Sequence, residues 1–128
     1  MDIAKKIEEA RDSLKDLIST YELNSYELDD NDNKTQDILH QIELGSYNEG
    51  RKWYGILRKI RRQRRVNKDT LEVMDKFHNL ITSDLGVKFM RQLDECLGDA
   101  RNKEKKLLTR HYLAKSIENL PISKDIVD

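Results

Sequence analysis

Apolar residues in this chain return every three or four positions, a rhythm that leaves the α-helix as the regular structure open to it. Ile3, Ile7, Ala10, Leu14, Leu17 and Tyr21 step by four, three, four, three and four. Trp53, Leu57 and Ile60 keep the spacing, which resumes at Leu71, Met74 and Ile81. A third series holds Phe89 or Met90, then Leu93, Leu97, Ala100 and Leu107. Little interrupts these rows: the 128 residues include five glycines and one proline, Pro121. The fold predicted is all-α, a helical bundle with long helices packed in coiled-coil fashion.

Residues 1–22 read as an amino-terminal heptad helix, too short and too thinly apolar to hold together alone, so its role is assembly. Residues 23–33 are acidic, rich in Asn and Asp and without periodicity, which predicts a loop. Residues 34–113 form the predicted helical core. It opens with a short helix from Lys34 to Leu44, capped by Asn33 and ended by Gly45. Ser46 and Glu49 have capping-box spacing and start a long helix that reaches about Thr82, with a break or kink expected near Val66-Asn67. Ser83-Asp84 marks the next start, and the last helix runs from about Leu85 to Leu113. Residues 114–128 are expected to be a loosely ordered tail.

One chain of this length suits one domain. The single cysteine, Cys96, stands at an expected apolar helix position and reads as a core residue. It cannot form an internal disulfide, which points to a reducing compartment. No run is apolar for the ~20 residues that span a bilayer, and the amino terminus does not resemble a signal peptide. A cytoplasmic protein without membrane contact is the expectation.

The formal net charge is zero, yet the charges are segregated. Through Gly50 there are thirteen acids against five bases, whereas Arg51–Lys68 holds nine Lys or Arg and no acid. The apolar seam of the long helix also passes through Arg64 and Asn67. An apolar stripe broken by arginine calls for an anion, supplied by a ligand or by the acidic amino-terminal half. Such a dipolar chain also suits pairing with copies of itself, so a homo-oligomer is expected.

No catalytic signature is present: no Gly-rich phosphate loop, no nucleophile elbow, no HExxH and no paired cysteines. The chain reads as a binder and not an enzyme, with no cofactor and no metal site. Arg58, Arg62 and Arg65 share one helical face, as do Arg61, Arg64 and Lys68. Guanidinium groups hold phosphate oxygens bidentately at every relevant pH. Trp53 and Tyr54 lie upstream, and Arg101, Arg110 and Tyr112 belong to the last helix. Rings beside arginines suit a nucleotide, one to stack the base and the other to hold phosphate. Taken alone, Trp53 or Tyr54 reads more simply as core packing, and the basic block reads equally well as a solvated face.

The segments ILHQIEL (Ile38–Leu44), YGILRKIRRQRRVNKD (Tyr54–Asp69), LDECLGDARNKEK (Leu93–Lys105) and RHY (Arg110–Tyr112) resemble a family of small proteins encoded by phages and prophages of Gram-positive bacteria. The resemblance covers roughly residues 37–113. Members often end in Arg-x-Tyr-x-x-Arg; Arg110 and Tyr112 fit, but Lys115 stands where the final arginine would be. The resemblance implies a protein of phage origin acting in the host cytoplasm. In size and helical character the chain is similar to anti-defence nucleotide sponges such as the Thoeris anti-defence proteins. Those trap cyclic nucleotide signals in pockets lined by arginine and aromatic residues.

The leading expectation is a phage anti-defence protein that sequesters a small phosphorylated, cyclic nucleotide signal without turnover. Arg58, Arg61, Arg62 and Arg65 would supply charge, Arg101 and Arg110 would close the site, and Trp53, Tyr54 or Tyr112 would stack. The alternatives are a nucleic-acid-binding phage regulator and a protein-binding inhibitor of a host defence enzyme.

Overall fold

The computed structural model describes the backbone of residues 2–118 and the side chains of residues 2–110. The fold is all-α, with α1 at Ile3–Leu44, α2 at Tyr47–Thr82 and α3 at Asp84–Glu118, and no strand among the described residues. The chain divides into two compact units, one formed by Leu14–Gly86 and the other by Met1–Ser13 with Val87–Asp128.

In the unit of residues 14–86, α1 and α2 form an antiparallel hairpin. Tyr21 stacks on His78 with ring centroids 3.5 Å apart and 9° between planes. Further along α1, Asn24 and Glu27 meet Asn67, and Asp32 meets Arg64. The α2 seam is the predicted one: Trp53, Leu57, Ile60, Arg64, Asn67, Leu71, Met74 and Ile81 are all buried or half-buried. Its fully buried members are Ile81, at the end away from the bend, and Asn67, which meets Asn31; α1 buries Ile38 nearer the bend. A hairpin that buries two asparagines beside two isoleucines relies on hydrogen bonds as well as apolar packing.

The turn is built as its residues dictate. Ser46 Oγ accepts from the Glu49 amide at 3.4 Å, and Glu49 Oε2 accepts from the Ser46 amide at 3.3 Å, the predicted capping box. At the other end, Ser83 closes α2 by donating its amide to Leu80 O, and its Oγ accepts from the Gly86 amide at 3.2 Å. One serine thus caps two helices, at the boundary the sequence predicts. Gly86 has to be glycine, because a Cβ there would run into the carbonyls of Leu80 and Ile81.

The helix runs straight through residues 23–33, where a loop is predicted. The Asn and Asp residues there lower intrinsic helix propensity. Their side chains, however, serve the helix or its partner. Asp30 pairs with Lys34 one turn on at 2.9 Å, a contact that raises the Lys34 pKa above its ordinary value. Asn24, Asn31 and Asp32 reach α2. Tertiary hydrogen bonding overrides local preference. The predicted division at 22/23 and 33/34 is therefore absent, and α2 likewise continues through Val66-Asn67 without a break.

In the other unit, residues 3–13 of α1 lie antiparallel to α3. Arg11 reaches Asp94 at 3.3 Å, and Glu8 pairs with Arg101 at 3.1 Å. The Arg11 pKa is raised by its hydrogen bond to Asp12 first and to Asp94 next. Glu104 Oε1 accepts from the amides of both Ile3 and Ala4 at 3.0 Å. It satisfies two orphan donors of the α1 amino terminus and places a carboxylate at the positive end of its dipole.

The α1 seam departs from prediction by one residue at alternate positions. Ala4, Arg11 and Ile18 turn inward in place of Ile3, Ala10 and Leu17, while Ile7, Leu14 and Tyr21 stand as predicted. Small Ala4 lets the Glu104 carboxylate approach the backbone, whereas Ile3 stays 54% exposed. On α3, Met90 and not Phe89 joins Leu93, Leu97 and Ala100. Cys96 is exposed and is not a core residue, because Leu97 fills that step of the seam. Helix α3 continues to Glu118, so residues 114–118 of the predicted tail are helical, and the rest of that tail, residues 119–128, lies outside the described residues. No helix is long and apolar enough to cross a membrane among the described residues.

Candidate anion-binding site

The two polar residues that break the α2 seam are satisfied inside the protein. Arg64 Nε donates to Asp32 Oδ1 at 2.5 Å. Asn67 is wholly buried and makes four side-chain hydrogen bonds. Its Nδ2 donates to Asn24 Oδ1 at 3.1 Å and to Glu27 Oε2 at 2.7 Å. Its Oδ1 accepts from Gln63 at 3.1 Å and from Asn31 at 3.4 Å. The acidic amino-terminal half is the anion that the seam calls for, and neither residue requires a ligand.

What remains is a basic row on the open side of α2. Tyr47, Arg51, Tyr54 and Arg58 step by four, three and four, and Arg61, Arg65 and Lys68 continue by three, four and three. That spacing keeps all seven on one helical stripe, where ring and guanidinium alternate for the first three turns. From Tyr47 to Lys68 the stripe extends roughly 32 Å at 1.5 Å per residue. Each of these seven residues is exposed. Among the described residues, Arg58, Arg61, Arg62 and Arg65 make no ion pair with an acid.

Two depressions lie along the stripe. One, of about 570 Å³ at the hairpin bend, is lined by Ile42, Tyr47, Arg51, Tyr54 and Arg58. The other, of about 470 Å³, is lined by Arg61, Arg62, Arg64, Arg65 and Lys68, with Asp69 and Glu72 at its far end. Both are open to solvent along their length. A ligand here meets cations and rings on one side and water on the other.

The residues predicted for the site divide. Tyr54 and Arg58 share the bend cleft, and Arg61, Arg62 and Arg65 share the second. Trp53 belongs to the α1–α2 seam and is half-buried there. Arg101 belongs to the other unit, where it pairs with Glu8. Arg110 is exposed near the end of the described side chains, and the Tyr112 side chain lies outside them. Tyr47 and Arg51 are members of the row that the sequence reading passed over. The signal was present: both fall on the step that links Tyr54 to Arg58, but a search for like charges alone does not see an alternating row.

His40 and Glu43 stand 4.0 Å apart, both exposed, as a surface pair. No group of three or more His, Cys, Asp or Glu able to hold a metal ion occurs among the described residues. No family model, curated protein or solved structure matches this chain.

Proposed function

We propose that the chain is a non-catalytic nucleic-acid-binding protein that uses the open row on α2 to follow a single strand. The observation that carries this reading is the alternation of Tyr47, Arg51, Tyr54 and Arg58, continued by Arg61, Arg65 and Lys68. Base stacking on aromatic rings with arginines tracking the phosphates is how sequence-tolerant single-strand binders work. An open row suits a polymer, whereas small ligands are held where most of their surface is enclosed. Zero net charge is compatible with this role, because the acids of α1 are partly committed to α2 and the field of the row is local. With the family resemblance, the setting would be a phage regulator in the host cytoplasm.

The test is fluorescence anisotropy of labelled single-stranded oligonucleotides across a salt series. If the five cations of the row contact phosphates, the plot of log K against log salt falls with a slope of about −3.5. Binding that ignores salt, or none at low salt, would overturn the reading.

A second reading keeps the small nucleotide signal of an anti-defence sponge as ligand. It rests on the bend cleft, whose volume suits a mononucleotide and whose wall joins Tyr47 and Tyr54 to Arg51 and Arg58. Here Tyr54→Ala should abolish binding of a cyclic nucleotide or ADP-ribose isomer, and Arg65→Glu, beyond the cleft, should leave it unchanged. For the polymer, Arg65→Glu weakens binding as well.

A further inference from the structure

Helix α2 carries a second heptad row on the flank between its α1-facing seam and its basic row. Gln63, Val66, Thr70, Val73, Phe77 and Leu80 step by three, four, three, four and three. Within it Val66, Val73 and Leu80 are 56%, 85% and 58% exposed. Three large apolar side chains at seven-residue intervals on one face form a seam that nothing in the unit of residues 14–86 covers.

We propose that this seam is the dimer interface and that its occupant is the same seam of a second copy, packed antiparallel about a twofold axis between residues 71 and 72. The register is set by two matches. In the first, Val66 lies opposite Phe77 of the second copy and Thr70 opposite its Val73. The flanking row then brings Asp69 of one copy to Lys76 of the other, twice by symmetry. Both side chains are exposed, and neither makes an ion pair within its own chain among the described residues. In a parallel alignment, Asp69 would lie level with Asp69 and Lys76 with Lys76.

The second match comes from α1. In the same register, Leu80 of the second copy arrives opposite Gln63. Gln63 lines a groove of about 490 Å³ together with Leu23, Tyr26 and Glu27. Leu23 and Tyr26 are 56% and 69% exposed, so the leucine would meet two apolar side chains at a groove whose remaining lining, Asp30, Asn31 and Lys34 with Glu27 and Gln63, is polar. Arg58, Arg61 and Arg65 stand further round α2 than this seam, while Arg62 and Asp69 border both the seam and the second basic depression.

The experiment is mass determination by light scattering and sedimentation across a concentration series of the full chain. The wild type should dimerise. Val73→Glu should raise the dissociation constant by about tenfold or more, since it places an unpaired charge in the seam. Val73 is the most exposed of the three, so far-UV circular dichroism should remain helical in this variant. Asp69→Lys and Lys76→Asp should each weaken the dimer, and the double exchange should restore it. A monomeric wild type, a dimer indifferent to Val73→Glu, or an exchange that fails to rescue would overturn the proposal.

Discussion

Asn67 donates to Glu27 at 2.7 Å in the middle of the α1–α2 interface, where a coiled coil ordinarily places leucine. This contact and the three others made by Asn67 align one register of the hairpin. A slide by one heptad would put Lys34 or Thr20 where Glu27 stands and Ile38 or Leu17 where one of the two asparagines stands, so the four bonds could not all re-form.

Replacing Asn67 therefore tests register and stability together. Asn67→Ala should cost about 1–3 kcal/mol, because four partners lose their counterpart. Asn67→Asp should cost more at neutral pH, since a second carboxylate would face Glu27. Its deficit should shrink as pH falls through the carboxylate range and the repulsion is neutralised. Urea unfolding at two pH values checks this; an equal deficit at both would count against it.

The Arg64–Asp32 pair should contribute less. The two side chains are 35% and 49% exposed, so solvent screens them. A double-mutant cycle with Arg64→Met and Asp32→Asn should return a coupling of about 1 kcal/mol or below, smaller still in high salt. Arg64→Met should also leave oligonucleotide binding nearly unchanged, in contrast to Arg61→Glu or Arg65→Glu.

Gly86→Ala should be among the most destabilising single changes in the chain. The added Cβ meets backbone carbonyls of Leu80 and Ile81, which cannot turn aside as a flexible side chain can. A midpoint shift in thermal unfolding much larger than that of Gly98→Ala is the expected result. Gly98 has open space where its Cβ would be.

Glu104→Ala should loosen the first turn of α1 by about 0.5–2 kcal/mol, the usual effect of losing a cap. Hydrogen exchange should report this at the Ile3 and Ala4 amides, with residues 14–44 unaffected.

Much of this architecture is legible in the sequence, and the failures share a cause. The α2 seam, the capping box at Ser46 and the junction at Ser83 depend on residues within one or two turns, which periodicity and capping rules read directly. The helix through residues 23–33 does not. Asn24, Glu27, Asn31 and Asp32 find partners 32 to 43 residues away, and local propensity is blind to them. The α1 seam was ambiguous because Ile3/Ala4, Ala10/Arg11 and Leu17/Ile18 offer two adjacent rows. Only the approach of Glu104 and Asp94 favours the inner one. At the site, the arginines were visible as a block, but their order along one stripe with Tyr47 and Tyr54 emerged only when the exposed side of α2 was known.

The cap that Glu104 places on Ile3 spans 101 positions of chain. A nascent polypeptide emerges amino terminus first, so residues 3–13 leave the ribosome early and wait longest for their partner. The hairpin of residues 14–86 can close once residue 86 is free. The first turn of α1 stays uncapped until 18 more residues have followed, roughly one to four seconds at ordinary synthesis rates. During that interval Ile3, Ile7 and the backbone donors beside them are open to chaperones and proteases.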